Sequence, residues 1–384
     1  MIIGYQQLVR VSDCISSFLF ENDVHVFLDE CHRVKNPNSL STQAILKFSH
    51  LPKSKLILSG TPMPQSIDDL VPQFNFLYPE IRVNVDSVVG LVQKVYVRTN
   101  KVELDLPEVL RKLIRLRMDT AQEKLYRLLR SEIAREAESA LSENTKFALR
   151  KFGRSVTSLL QFVSNPALLA DKPEFKFADE LSDALAEGDG PKIRYVINRT
   201  RELTKAGHKV LVWTSFVKNV EYLAECFRDL GAVYIHGGVD AGSDEDEDTR
   251  EGKIKKFHED PKVQVMIANP AAASEGISLH RVCHHAIYLD RSFNAAQYLQ
   301  SEDRIHRFGL PKDQLTHLEV VECIDTIDET VRLRLGIKVD AMAAVLNDSH
   351  LNISPLQISE DAEYDSATLD LGDIQAIIAA IGPP

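Results

Sequence analysis

With 384 residues, 44% apolar and 26% charged, the chain is long enough for two or three domains with cores of their own and has the composition of an ordinary globular protein. A formal net charge of −11 excludes binding nucleic acid through the whole surface, so any such contact needs a local groove. No apolar run approaches a membrane span, no basic stretch precedes an apolar one at the start, and five scattered cysteines without a Cys-x-x-Cys pair read as the reduced thiols of an intracellular protein, cytoplasmic or nuclear.

In chain order, residues 24–30 form a short apolar strand ending in two acids, Asp29 and Glu30. A helix-like stretch follows over about 39–49, then a second apolar strand over 55–61 that runs into Ser59-Gly60-Thr61-Pro62. Strand, helix, strand with apolar strands is the pattern of a parallel α/β sheet. From about 119 to 169 the period is helical, and Pro166, Pro173 and the turn at 187–191 mark a boundary. A regular β-α alternation follows, with strands predicted over 208–215, 233–236, 263–268, 286–290 and 315–324, and a helix over 219–230 stopped by Gly231. Beyond Lys338 there is no Lys or Arg, and Asp340, Asp348, Glu360, Asp361, Glu363, Asp365, Asp370 and Asp373 make an acidic tail that ends in a short helix near 374–381. The chain has no internal repeat, and the acids of 244–248 read as a solvated loop.

Four segments carry chemistry. Asp29-Glu30-Cys31-His32 sits where a parallel strand delivers residues to the ligand edge of its sheet. The pair suits Mg²⁺ binding by the first acid and proton acceptance from water by the second; equally, it suits a solvated turn. Ser59-Gly60-Thr61-Pro62 is either a link from a nucleotide edge to nucleic acid or a plain strand-to-turn signal. On a helix, Gln300, Arg304 and Arg307 project together, which suits a polyphosphate; a salt-bridged surface helix using Glu302 and Asp303 is the alternative. Ala271 to Leu279, with Ser274, Glu275 and Gly276, permits close backbone approach to phosphate, or is only a loop. His280, Cys283, His284 and His285 match no standard zinc spacing and read as a packed loop. Arg150, Lys151 and Arg154 around Phe152 read as solvated helix charge, with a DNA groove as the alternative.

Taken in order, these segments resemble the Swi/Snf-type ATPases of helicase superfamily two. Asp29-Glu30-Cys31-His32 with Arg33-Val-Lys-Asn36 is similar to the Walker B segment. Leu58 to Pro62 is similar to the third helicase motif, Ser164-Asn165-Pro166 to the turn before the second lobe, and Lys209 to Phe216 to the fourth motif. Glu275-Gly276-Ile277 is similar to the fifth motif and Gln300 to Gly309 to the sixth. The resemblance runs over about residues 2–340 and implies tandem RecA-like lobes: part of a first lobe over 1–105, a helical bridge over 106–185, a second lobe over 186–340 and the tail over 341–384. It implies ATP and Mg²⁺ as cofactors and double-stranded DNA as partner, with no membrane. Asp29 would hold Mg²⁺ and Glu30 would polarise water, while Gln300, Arg304 and Arg307 act on the phosphates from the second lobe. His32 and Gly276 would lie at the nucleotide, and Ser59, Thr61, Ser215 and Phe216 at the nucleic acid.

Three departures qualify that expectation. Gly-x-x-x-x-Gly-Lys-Ser/Thr occurs nowhere in the 384 residues, so the chain alone is expected to be inactive. The segment between Pro79 and Val97 is short, which points to a compact motor. Cys31 stands where Ala is usual, and Pro270 stands near the usual Thr of the fifth motif. The chain is then a fragment of a full motor, half of a split motor whose phosphate loop another polypeptide supplies, or a non-enzymatic remnant that binds DNA or a partner.

Overall fold

Helix α1 (Tyr5–Glu21) leads into strand β1 (His25–Leu28), and α2 (Leu40–Lys47) returns the chain to β2 (Ser54–Ile57), which pairs parallel to β1 with His25 opposite Ser54. This computed structural model describes residues 1–63, 66–99, 103–143, 146–172, 175–273, 277–346 and 369–381. It separates into two units, residues 1–100 with 340–351 and residues 101–339 with 352–384. In the first unit, Ser39 caps α2 by accepting the Thr42 N–H at 3.2 Å. Helices α3 (Leu70–Leu77) and α4 (Val85–Val92) follow. Leu8, Leu19, Leu28, Ile45, Phe48 and Phe76 form the core on one side of the two strands. The other side is bare: Phe27 and Leu56, opposite each other in the register, are 64% and 46% exposed. Parallel strands are normally covered on both faces. Strand β1 stops at Leu28, short of the predicted end, because Glu30 adopts a left-handed backbone (φ 49°, ψ 50°) that no strand accommodates.

The second unit opens with a strand that the sequence assigned to the helical bridge. Residues of β3 (Val109–Leu116) pair in parallel with the last strand of the sheet over their whole length. Arg111, Lys112 and Arg115 interrupt the apolar residues and hide the strand period, and charge of this kind is usual on an edge strand. Helices α5 (Thr120–Glu143), α6 (Lys146–Ser164) and α7 (Ala178–Ala186) follow as the helical period requires. Then come α8 (Pro191–Lys205), β4 (Val210–Trp213), α9 (Val217–Cys226), β5 (Val233–Ile235), α10 (Arg250–Glu259), β6 (Val265–Ala268), α11 (Pro270–Ala273), β7 (His285–Tyr288), α12 (Ala295–Glu302), β8 (Thr316–Cys323), α13 (Ile327–Val345) and α14 (Leu371–Ile381). The sheet is parallel throughout, in the order β3-β8-β7-β4-β6-β5. Strands β4 and β6 are buried at every residue, the continuous apolar run that a two-sided parallel strand needs. Gly231 (φ 64°) ends the α9 region as predicted, and a Cβ there would lie 2.4 Å from the Lys262 carbonyl oxygen. The α/β class with parallel sheets is therefore the observed one. No helix among the described residues is long and apolar enough to cross a membrane.

The histidine loop is packed, as the spacing suggested. The Cys283 thiol donates to the carbonyls of Lys209 and His285, and burial pushes it up to about 12. His285 stacks between His208 and His317, with ring centroids at 4.4 and 4.6 Å. Burial, followed by the neighbouring His317, His208 and Arg199, pushes His285 down from 6.5 to about 4, against the opposing pull of Glu319. The folded state therefore prefers the neutral ring, and its stabilising contribution is present above pH 6.5 and lost as the pH falls from there through 4. Unfolding titrations should show a loss of about 2 kcal/mol over that window, with water screening the partly reached ring. His285→Asn should flatten the profile; an unchanged slope contradicts the assignment.

Candidate nucleotide and nucleic-acid site

At the C-terminal ends of β1 and β2 the structure gathers three of the expected residues. His32 Nδ1 lies 3.2 Å from Glu30 Oε2 and 3.3 Å from Ser59 Oγ. The Cys31 N–H donates to the Leu58 carbonyl at 2.9 Å, which ties the two strand ends together and brings Ser59 beside the acidic turn. Ser59 Oγ also accepts the Thr61 N–H at 3.1 Å. Asp29 is exposed: its carboxylate accepts the Glu30 N–H at 2.9 Å, and its carbonyl accepts the Tyr5 hydroxyl at 2.6 Å. Thr61 is buried, so only Ser59 of that pair is partly open to solvent. Cys31 donates its thiol to Gln73 Oε1 at 3.3 Å and is pushed up to about 12 by burial, which makes it a packing residue rather than a nucleophile.

In the second unit the expected single helix face is not what forms. Helix α12 ends at Glu302, and Arg304 and Arg307 lie in the turn beyond it. The reason is local. The Gln300 carbonyl, which a continuing helix would offer to the Arg304 N–H, accepts the Arg304 Nε at 2.8 Å, and the Arg304 N–H bonds Ser301 at 3.3 Å instead. Arg304 Nη1 also donates to the Ile277 carbonyl at 2.9 Å. Gln300 and Arg304 are buried and Arg307 is exposed. The alternative of a salt-bridged surface helix fails at Glu302, which is buried and paired with Arg111 of β3 at 2.7 and 3.0 Å. Gly276, with Ser274 and Glu275, lies outside the described residues.

Ser215 and Phe216 follow β4, and there the structure joins Ser164, Asn165 and Thr214 of the quoted motifs to Asp290, Asn219 and Asn269, which the motifs did not single out. Asp290, at the end of β7, accepts the Ser164 and Thr214 hydroxyls at 2.6 Å each and the Ser215 N–H at 2.7 Å. Asn219 donates to Ser164 at 2.8 Å and accepts from Asn165 at 2.9 Å, and Asn269 donates to the Ser215 carbonyl at 2.9 Å. All seven residues, Ser215 included, are buried, so Ser215 is held from within rather than presented on the surface, while Phe216 packs on the α5–α6 core. One sequence signal marks Thr214, Asn269 and Asp290: polar residues just past otherwise apolar parallel strands, where ligand edges lie. Phe152 belongs to that α5–α6 core and Lys151 pairs with Glu136 at 3.1 Å, in keeping with helix surface charge there.

Residues 1–88 match the SNF2-related domain, and residues 191–309 match the helicase conserved C-terminal domain. The chain is related to the Swi/Snf-type helicase-like ATPases. Among its Swi/Snf-type relatives are the SWI/SNF chromatin-remodeling complex subunit snf22 of Schizosaccharomyces pombe, 23% identical over 84% of this chain and 21% of that protein, and the chromodomain-helicase-DNA-binding protein 1-like of Mus musculus, 25% identical over 88% and 38%. The chain thus spans about a fifth to two-fifths of the length of these relatives. A solved SWI2/SNF2 ATPase core of Sulfolobus solfataricus in complex with dsDNA aligns at 18% identity and a TM-score of 0.45, over 90% of this chain and 72% of that one.

A Swi/Snf-type site uses ATP with Mg²⁺, and the donor set suits that pair. Asp29 presents an exposed carboxylate at a strand end. Mg²⁺ commonly binds through one or two carboxylates, substrate phosphates and waters.

Proposed function

We infer that the chain is part of an ATP-dependent motor that moves on double-stranded DNA. The observation that carries this reading is the cluster of Glu30, His32 and Ser59 at the ends of β1 and β2, in a chain whose second unit carries Arg304 and Arg307 behind a parallel sheet. In the motor, Asp29 binds Mg²⁺ and Glu30 takes the proton of the attacking water. His32 relays the position of Glu30 to Ser59 and so towards the nucleic-acid side. Arg307, exposed and charged, meets the γ-phosphate, and Arg304 holds the turn that carries it. Gln300 and Gly276 complete the nucleotide contacts, and Ser59, Thr61, Ser215 and Phe216 shape the DNA contacts. The compartment is the cytoplasm or nucleus; one relative is named a nuclear protein, STH1/NPS1 of Saccharomyces cerevisiae.

The phosphate-binding loop comes from residues outside this sequence or from another polypeptide. The bare face at Phe27 and Leu56, and a cavity of about 370 Å³ along β2 lined by Leu56, Leu58, Phe74 and Val97, favour an added segment there over a non-enzymatic remnant. The test is dsDNA-stimulated ATP hydrolysis by the chain supplemented with a polypeptide that carries the phosphate loop: Glu30→Gln should lower it at least about a hundredfold, and equal stimulated rates for the two proteins in that mixture would contradict the reading.

A further inference from the structure

The acidic tail ends in a helix whose first acids are paired rather than solvated, Asp373 buried and Asp370 partly so. Asp370 and Asp373 open α14, and both reach α13. Arg334 donates to Asp373 Oδ1 at 2.8 Å and to Asp370 Oδ1 at 2.9 Å. Lys338 donates to Asp373 Oδ2 at 2.5 Å and lies 3.0 Å from Asp370 Oδ2. Asp373 is wholly buried and the Lys338 side chain nearly so. Gly372 makes room for this arrangement, because a Cβ there would lie 2.5 Å from the Arg334 guanidinium.

The third ligand of Lys338 lies on a different element. Its Nζ donates to the Phe293 carbonyl at 2.9 Å, in the segment between β7 and α12. The Phe293 ring is buried in the same cluster as Ile377 and Ile381 of α14 and Val331 and Leu335 of α13. Helix α14 is therefore tied to Phe293 through the ammonium that its Asp373 holds and that binds the Phe293 carbonyl, while Ile377 and Ile381 share the apolar cluster that buries the ring. The next residue, Asn294, caps α12 by accepting the Ala296 N–H at 3.0 Å, and α12 leads into the turn of Arg304 and Arg307.

We propose that α14 is a positioning clamp: through Asp373, Lys338 and Phe293 it fixes the start of α12 and hence the placement of the Gln300–Arg304–Arg307 segment. Removing α14 would leave Arg334 and Lys338 without their shared carboxylates in a site shielded from water and would take Ile377 and Ile381 out of the cluster that buries Phe293, so the segment would loosen at the α12 cap. Its relevance to turnover rests on the motor reading of Arg304 and Arg307; the coupling itself does not.

The experiment is hydrogen–deuterium exchange on the full chain without nucleotide or DNA, comparing the parent with Asp373→Asn and, as a milder variant, Ile377→Ala. Amides of residues 294–304 should exchange about tenfold faster, while those of β4 and β6 keep their parent rates. If only α14 exchanges faster and 294–304 does not, the clamp is overturned. Uniform acceleration across the sheet overturns it too, because α14 would then serve general stability alone. Since neither ATP nor DNA enters, failure here leaves the motor reading standing, and failure of the motor reading leaves the coupling measurable.

Discussion

Glu322→Ala is expected to destabilise the second unit by about 3–5 kcal/mol, the loss typical of removing one partner from a buried ion pair. Glu322 lies in β8 with its side chain completely buried. It accepts from Arg115 Nε at 3.0 Å, Arg332 Nε at 3.0 Å and Arg291 Nη2 at 3.4 Å. Arg115 has a second carboxylate in Glu329, and both Arg115 and Arg332 reach solvent, so they tolerate the loss. Arg291 does not: it is buried, and burial already pushes it down to about 10 although Asp328 and Glu322 oppose the shift. Without Glu322 its charge keeps Asp328 but loses one of the two carboxylates that compensate it in a buried site. Glu322→Gln keeps the shape and should cost less than Ala. Chemical denaturation of the three proteins measures both differences, and a loss below about 1 kcal/mol for Ala would contradict a charge-compensating role.

Arg307→Ala should lower ATP hydrolysis by about a thousandfold or more, as when a phosphate-directed arginine is lost, and Arg304→Ala should lower it too by releasing the turn that carries Arg307, yet the two should differ in stability. Arg304 is buried and donates to the carbonyls of Gln300 and Ile277, while its own carbonyl accepts the Leu279 N–H at 2.7 Å. Its truncation leaves two buried carbonyls short of a charged donor and should cost about 2–3 kcal/mol. Arg307 is exposed, and its truncation should stay within about 0.5 kcal/mol of the parent. Lys at 304 cannot span both carbonyls and should resemble Ala. Thermal unfolding combined with hydrolysis, in a preparation that includes a phosphate loop, separates the roles. Parent-level turnover by Arg307→Ala would remove it from the chemistry.

Most of the architecture was legible because parallel strands write themselves as apolar runs: β4 (Val-Leu-Val-Trp), β6 (Val-Met-Ile-Ala) and most of β7 (His-Ala-Ile-Tyr) are such runs. Strand β3 was missed because Arg111 and Arg115 occupy positions that alternation would make apolar, and their partners, Glu302 and Glu322, lie about 200 residues away in sequence. The early end of α12 was hidden for a related reason. A helical wheel places Arg304 and Arg307 on the face of Gln300, but a guanidinium that competes for the Gln300 carbonyl ends the helix first. Asp373 read as one of many tail acids; only packing shows that it is buried against Lys338. The Asp29–His32 turn and Ser59 were found by motif, and the structure adds the His32 contacts that join them.

The most direct measurement on the motor itself is ATP hydrolysis by the purified chain with and without double-stranded DNA, alone and mixed with a polypeptide carrying Gly-x-x-x-x-Gly-Lys-Ser/Thr, each beside Glu30→Gln. Background hydrolysis alone, and dsDNA-stimulated hydrolysis in the mixture that Glu30→Gln abolishes, is the expected result. Hydrolysis that ignores DNA or survives Glu30→Gln would contradict it.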